Sequence, residues 1–280
     1  MISCDKEIPY DNNSFKPKLV VNSFNSTDSL INIKISKSFK LLGTPSDSIE
    51  DLPIHVQLFK DSLKVLDEGY QIKGGSLILP IKPQVNSTYK LEANVDGFPP
   101  IYTEDKVPQK GIDFSIDRIQ RDIINYRIGL TINDITYESN MFIMDVIVGG
   151  KETNPNDTIS KEYPVKFTSV DRFFNTTIQT FTDGTYLALF DDKLFNGETI
   201  KFELLLPIKN VEFPQFEPEN IYIRIKSISE ELYDYYSGMI QNNHIYGGPL
   251  YYEGQLRGNI QGGLGGFYFY NQLIKEGVLP

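Results

Sequence analysis

The chain has 280 residues and a formal net charge of −10, and its isoelectric point is about 4.8. So acidic a surface repels phosphate backbones, which argues against sequence-independent nucleic-acid binding. No stretch of about 18 consecutive apolar residues occurs, so no segment of the sequence is suited to cross a membrane as a helix. The length suits one large or two ordinary domains, with ample apolar content for a core.

The one cysteine, Cys4, precedes an acidic, Asn-rich segment interrupted by Pro9 and Pro17. A single thiol excludes an internal disulfide, and two histidines are too few for a Cys/His zinc cluster. Cys4 lies where a bacterial lipoprotein carries its acylated cysteine, although the basic and apolar regions of a signal peptide are not present. Cys4 is therefore either a lipid-attachment site or an ordinary free thiol, and residues 1–16 are predicted to form an exposed tether.

Short strands with period-two alternation follow the tether, separated by turn signals such as GTPSD and DGFPP. The predicted strands are residues 18–24, 29–36, 54–60, 76–81, 87–95 and 101–108. This density of strands predicts an Ig-like or transthyretin-like β-sandwich over residues 17–109.

Residues 110–280 are also rich in strand patterns, for example NYRIGLTIND, MFIMDVIVGG and ETIKFELLLPI. Some of these patterns are long, which suits a second sandwich that is strongly bent or barrel-like. The predicted fold class is therefore all-β, with two β-rich domains and one late amphipathic helix.

The helix is predicted near residues 229–242, where Leu232, Tyr235, Tyr236, Met239 and Ile240 form one apolar stripe. The stripe is expected to pack on the second domain, although it could also serve as a partner groove. Ser227 with Glu230 matches a capping box, and Ser229 is a second N-cap candidate. Behind the helix, the GGLGG run at 262–266 lacks the strand and helix that flank a phosphate loop. It is predicted to be a turn or bulge where the backbone crosses closely.

No motif in the sequence specifies catalysis, a cofactor or a metal site. His55 and His244 have no sequence-local partners for a triad. Asp191-Asp192 and the TNPND segment (Asn154, Asn156, Asp157) carry oxygen ligands without EF-hand spacing, so solvated turns are expected instead.

Three segments resemble one family: the start with Cys4 and KLVVNSF, the mid-chain FDDKLFNGE, and the closing SISEELYDYY and GNIQGGLGGFYFY. They resemble the Bacteroidota outer-membrane lipoproteins of domain of unknown function 4249. The resemblance implies a lipid anchor at Cys4 in the outer membrane, an Ig-like first half and a β-rich second half. It also implies an accessory role beside a TonB-dependent outer-membrane receptor, and it supplies no catalytic residues.

The leading hypothesis is a non-enzymatic, lipid-anchored accessory or binding module of such a receptor. The alternative is a surface carbohydrate-binding protein or hydrolase that uses a β-sandwich face. A candidate interface comprises Tyr251, Tyr252, Tyr268 and Tyr270, since tyrosine offers rigid area and a hydroxyl. The competing interpretation is that the FYFY strand puts its Phe side in the core and its Tyr side on a half-exposed edge.

Overall fold

The computed structural model describes residues 16–38, 53–72, 75–136, 138–154, 157–169, 171, 177–179, 186–245 and 258–280. The first part of the chain forms β1 (Leu19–Ser26), β2 (Asn32–Lys37), β3 (Pro53–Lys60), β4 (Leu63–Gln71), β5 (Ser76–Ile78), β6 (Thr88–Val95) and β7 (Ile101–Lys106). Strand β4 was not predicted, because it is a sheet edge with Leu66 as its only buried residue and lacks alternation.

The second part forms β8 (Ile112–Arg121), β9 (Asn125–Asp134), β10 (Met141–Asn154), β11 (Asp157–Pro164), β12 (Thr168–Ser169), β13 (Thr177–Gln179), β14 (Tyr186–Asp191), β15 (Thr199–Pro207), α1 (Ile208–Val211), β16 (Phe216–Ile228), α2 (Glu230–Ile245) and β17 (Leu264–Val278). The predicted mainly-β class with sandwich-like packing and a late helix is confirmed. Neither helix among the described residues has the length and apolar character of a membrane span.

One nine-stranded sheet runs through both parts of the chain, in the order β13-β14-β10-β16-β17-β1-β2-β5, with β11 paired to β10. Strand β17 joins them, because its first residues pair in parallel with β1 and its later residues pair antiparallel with β16. Two four-stranded sheets, β4-β3-β6-β7 and β12-β15-β9-β8, complete the fold.

The described residues enclose two main apolar cores. One holds buried residues of β1–β7 together with Ile260, Phe267 and Phe269, and the other is formed by residues between 112 and 279. The later strand β17 therefore fills part of the early core. The boundary between residues 109 and 110 stays a prediction, since the shared sheet continues across both parts.

The glycine run is a close backbone crossing, as predicted. Gly262 and Gly265 have φ values of 80° and 93°, in the left-handed region that side chains disfavour. A Cβ atom on Gly262 would collide with the Pro100 carbonyl oxygen, and one on Gly265 would collide with that of Val21. Glycine at position 265 therefore lets β17 lie directly beside β1, and glycine at position 262 lets the preceding segment pass the residue before β7.

Helix α2 begins one residue after Ser229, whose Oγ accepts the backbone N–H of Leu232 at 3.3 Å. Ser227 instead belongs to β16, and its Oγ accepts the N–H of Gly111 at 3.2 Å. The predicted capping box of Ser227 and Glu230 is therefore wrong, and the second candidate, Ser229, is the N-cap.

The helix covers one face of the nine-stranded sheet, as its stripe predicted. Leu232 is 1% exposed and packs in a small cluster with Ile143 and Ile228. Tyr235 and Tyr236 pack against the same cluster, Met239 is half-buried, and the side chain of Ile240 lies outside the described part.

Candidate functional site

The structure does not support the predicted surface patch of four tyrosines. Tyr251 and Tyr252 lie outside the described residues, as does Cys4, so their roles stay predictions. Tyr268 is fully buried, so its assignment to an exposed interface is wrong. Tyr270 is half-buried, with the Lys226 ammonium group 5.3 Å from its ring centroid.

Tyr268 is buried because β17 is a central strand and α2 lies over it. Its ring centroid is 5.6 Å from those of Phe24 and Tyr235. Burial raises the pKa of the Tyr268 hydroxyl well above its usual value. Both faces of the FYFY strand are thus buried near Tyr268. The competing interpretation, in which the Tyr side forms a half-exposed edge, does not hold at this residue.

A buried carboxyl group, Asp105, fills a gap in the sheet beside this strand. Where β16 ends, Asp105 Oδ2 accepts the N–H of Phe269 at 2.7 Å, and the Asn259 amide pairs with both backbone groups of Phe267. Burial raises the pKa of Asp105 to about 8, although the Phe269 amide and the Ser229 hydroxyl favour the charged form. Asp105 lies in the IYTEDK pattern, whose polar residues resemble those of an exposed strand. The sequence therefore did not indicate that Asp105 is buried and binds β17.

The FDDKLFNGE segment is held to the residue before β10 by a buried aspartate. Asp192 is 0% exposed, and its Oδ2 accepts the backbone N–H of Asn140 at 2.8 Å, while Asp191 pairs with Lys193. Burial raises the pKa of Asp192. No group of three or more potential His, Cys, Asp or Glu metal ligands occurs in the described part of the chain, and the side chains of Asn154, Asn156 and Asp157 in TNPND lie outside it.

The histidines provide no catalytic constellation in the described part. His55 is about half-exposed, and its Nε2 lies 3.0 Å from Asp67 Oδ1. The side chain of His244 lies outside the described residues.

An open groove lies at the Val278 end of β17, and we call it the distal groove. Its volume is about 660 Å³. It is lined by Arg121, Tyr126, Glu212, Phe213, Pro214, Phe216, Glu217, Pro218 and Pro280. Strands β8 and β9, the segment after α1 and the start of β16 thus converge on one surface.

A tight turn builds the apolar wall of the distal groove. Phe216 donates its N–H to the carbonyl oxygen of Phe213 at 3.1 Å, with Pro214 and Gln215 between them. Pro at the second position and a positive φ of 72° at Gln215 fit a type II turn. The turn stacks the two phenylalanine rings at 4.7 Å with an interplanar angle of 7°, and the edge-on ring of Tyr163 supports both at 5.0 Å.

A bidentate ion pair forms the polar wall. Arg121 Nε and Nη2 donate to the two oxygens of Glu212 at 2.8 and 3.1 Å, and the Tyr126 hydroxyl donates to Glu212 Oε1 at 2.6 Å. These donors lower the pKa of Glu212. Burial, and then the bond to Glu212, raises the pKa of Tyr126. The groove therefore presents a fixed charged pair beside the half-buried ring of Phe213, whereas Phe216 and Tyr126 are buried in the core.

Two exposed isoleucines lie next to the distal groove, at the β8–β9 turn. Ile123 is 94% and Ile124 is 68% exposed. The carbonyl oxygen of Ile124 accepts the N–H of Ile208, the first residue of α1, at 2.9 Å. We call this pair the isoleucine tip.

Sequence reasoning missed both features. The FPQFEP segment (213–218) combines turn-forming proline with spaced aromatic residues, and DIIN (122–125) puts two apolar β-branched residues between turn formers. These patterns could have indicated an exposed aromatic turn and an apolar hairpin tip, but not that they are neighbours.

Comparisons with known proteins bear mainly on the family. No curated protein matches the chain. One similar solved structure is a putative carbohydrate binding protein from Bacteroides uniformis, 10% identical, covering 76% of this chain and 89% of that chain with a TM-score of 0.20. So low a TM-score carries no argument about fold or ligand. The family model described as "Domain of unknown function (DUF4249)" matches residues 5–276, and the chain therefore belongs to that family.

Proposed function

We propose that this protein is a non-enzymatic, lipid-anchored binding module of the outer membrane and an accessory of a TonB-dependent receptor. The observation that carries the binding role is the distal groove, where the half-buried Phe213 ring, stacked on Phe216, and a fixed ion pair meet at an open surface. Cys4 supplies the anchor in this proposal. The resemblance to envelope lipoproteins supports the location and the partner.

The course of β17 supports a display role for the groove. Residues 16–18 lead into β1 beside the start of β17, where Val20 pairs with Leu264. The groove lies at the other end of this 15-residue strand, which spans at most about 50 Å at roughly 3.3 Å per residue. A chain anchored at Cys4 would thus enter the described fold near one end of β17, with the groove at the other end.

The titratable groups also favour binding over catalysis. Glu212, the carboxylate of the ion pair, has a lowered pKa and is bound by Arg121 and Tyr126, so it is poorly suited to accept or donate a proton near neutral pH. Asp105 and Asp192, whose pKa values are raised, are buried and do not line the groove.

The anchor is tested by expressing the chain behind a lipoprotein signal and comparing it with Cys4→Ala. The unmodified chain should stay with membranes through a high-salt wash, because acyl chains contribute about 0.8 kcal/mol per buried methylene. Release of the variant alone supports the anchor, whereas membrane retention of Cys4→Ala contradicts it. Affinity purification of the anchored chain should recover a TonB-dependent receptor, and its absence would refute that partner.

A second candidate function is carbohydrate binding in the distal groove. The specific observation is the pairing of an apolar ring face at Phe213 with the Arg121–Glu212 pair, since sugars have apolar C–H faces and hydrogen-bonding hydroxyl rims. Calorimetric titration with a panel of neutral oligosaccharides tests this function. Phe213→Ala should abolish the heat of binding, whereas Tyr102→Ala, at another exposed aromatic residue, should leave it unchanged. Release of reducing sugars would favour the hydrolase alternative.

A further inference from the structure

Three charged residues form a compact group on the face of the nine-stranded sheet that α2 partly covers. Asp145, in β10, is 1% exposed and lies opposite Arg224 of β16. Arg224 Nε donates to Asp145 Oδ1, and Lys226 Nζ lies 3.2 Å from Asp145 Oδ2. We call these three residues the Asp145 triad. Ile143, two residues before Asp145, packs in the cluster beneath α2, so the triad lies at the border of the covered area.

The Asp145 triad carries an excess positive charge. Its two cations share one carboxylate, and neither cation forms another ion pair with the described residues. Glu276 and Asp28, which lie near this face, each accept a hydroxyl group at 3.4 Å instead. Only 28% of the Arg224 side chain and 23% of the Lys226 side chain are exposed. Water therefore compensates this charge less well than at an open surface, which favours a bound anion.

Both cations also hold unused hydrogen-bond donors. Arg224 contacts Asp145 through Nε, and neither of its Nη atoms donates to an acceptor in the described part of the chain. Two parallel N–H groups of a guanidinium match the two oxygens of a carboxylate. Lys226 has three N–H groups, of which Asp145 needs one. Because Asp145 fixes both cations in place, a ligand would lose little binding free energy to ordering them.

The neighbouring strand β17 adds an apolar and an amide side chain to this surface. Ile274 pairs with Arg224 and is 49% exposed, and Gln272 pairs with Lys226 and is partly exposed. A single excess charge matches a singly charged carboxylate better than a doubly charged phosphate. The site therefore suits a carboxylate that is attached to a body with an apolar C–H surface. None of these residues lines the distal groove.

We propose that the Asp145 triad binds the carboxylate group of a small acidic molecule, whose apolar part lies against Ile274. A sugar acid and a fatty acid both present this chemistry, and the experiment distinguishes them. The inference does not rest on the proposed function, because the site and the distal groove have no residue in common.

Calorimetric titration of the full chain with glucuronate, octanoate and neutral glucose tests this inference. We expect at least one of the two acids to bind with a dissociation constant of about 1 mM or lower, and glucose to give no heat of binding. Lys226→Gln removes the excess charge and leaves the Asp145–Arg224 pair intact, so it should weaken binding at least about tenfold. Lys275→Gln is the matched control. It changes the net charge equally, but Lys275 pairs with the buried Ile223 and lies on the opposite face of the sheet.

A second variant keeps the test informative if Lys226→Gln lowers the temperature of thermal unfolding. Arg224→Lys retains every charge and lacks the planar fork of the guanidinium, so it should weaken binding by about threefold or more. Binding that neither variant weakens would overturn the inference.

The probes separate the possible ligands. Variant-sensitive binding of glucuronate alone identifies a sugar acid, that of octanoate alone identifies a fatty acid, and that of both shows that the carboxylate itself is recognised. Failure of both acids to bind, or binding of glucose as tight as that of glucuronate, would overturn the inference. Loss of binding in Phe213→Ala with full binding in Lys226→Gln would place the probe in the distal groove, which overturns this inference and supports the proposed function.

Discussion

The two ends of β17 differ in what their side chains do. At the Leu264 end, glycines allow backbones to touch, Phe267, Tyr268 and Phe269 are buried, and Asp105 completes the sheet. At the Val278 end, Phe213, exposed prolines and a paired arginine remain in contact with solvent, above the buried rings of Tyr126 and Phe216. The most conspicuous segment of the sequence thus stabilises the fold, whereas the best candidate binding surface comes from residues scattered over several elements.

The largest expected effect tests the structural role of the Leu264 end. Gly265→Ala should lower the free energy of unfolding by roughly 2–6 kcal/mol, combining strain at positive φ with a collision at the Val21 carbonyl oxygen. Gly69→Ala is the matched control, because nothing lies within 4 Å of its added Cβ. Urea unfolding measures both, and equal stability of the two variants would contradict the close crossing.

The next prediction concerns the helix that covers Tyr268. Leu232 is 1% exposed, so Leu232→Ala should cost about 2–5 kcal/mol of unfolding free energy. Leu194, which is 73% exposed, serves as the control, and Leu194→Ala should change stability by less than about 0.5 kcal/mol. A loss at Leu232 as small as that at Leu194 would show that α2 is not docked on the sheet.

A pH series tests the buried carboxyl group. The folded-state pKa of Asp105, about 8, lies above its ordinary value of 3.8, so the folded chain keeps a proton that the unfolded chain releases. The contribution of protonated Asp105 to the free energy of unfolding is fully present below about pH 4. It is lost as pH rises toward 8, on the order of 1 kcal/mol per pH unit. Asp105→Asn should flatten this slope.

Asp122→Asn is the control for the pH series. The N–H of Ile124, then Arg127, lowers the pKa of Asp122 to about 2, so this group stays charged between pH 5 and 8. The slope of unfolding free energy against pH should therefore match that of the unmodified chain. An unchanged slope in Asp105→Asn would contradict the assignment of a buried, protonated Asp105.

The smallest expected effect distinguishes burial from binding at Tyr268. Its buried hydroxyl makes no hydrogen bond in the described part of the chain, although the backbone N–H of Asn259 lies near it. Tyr268→Phe should therefore change the unfolding free energy by less than about 1 kcal/mol. Thermal unfolding measures this change, and a larger loss would indicate a bound partner of the hydroxyl such as an ordered water.

Local patterns predicted much of the fold. Alternation identified most strands of the first part, and the spacing of Leu232, Tyr235 and Tyr236 identified α2 and its buried face. The pattern failed at β4, an edge strand with one buried residue, and at Ser227, which pairs with Gly111 across the fold. Local signals are weakest where a residue's partner is distant in sequence.

By itself, the sequence determined the all-β class, the late helix, the glycine crossing and the family, because backbone periodicity, positive φ and family motifs are local properties. Only the tertiary structure decided that β17 is central, which buried Tyr268, and that Arg121, Glu212 and Phe213 share one groove. The physical reason is that strand order sets which face of a strand is covered. Alternating residues give every strand two faces. Pairing between strands more than a hundred residues apart determines which of these faces is exposed to solvent.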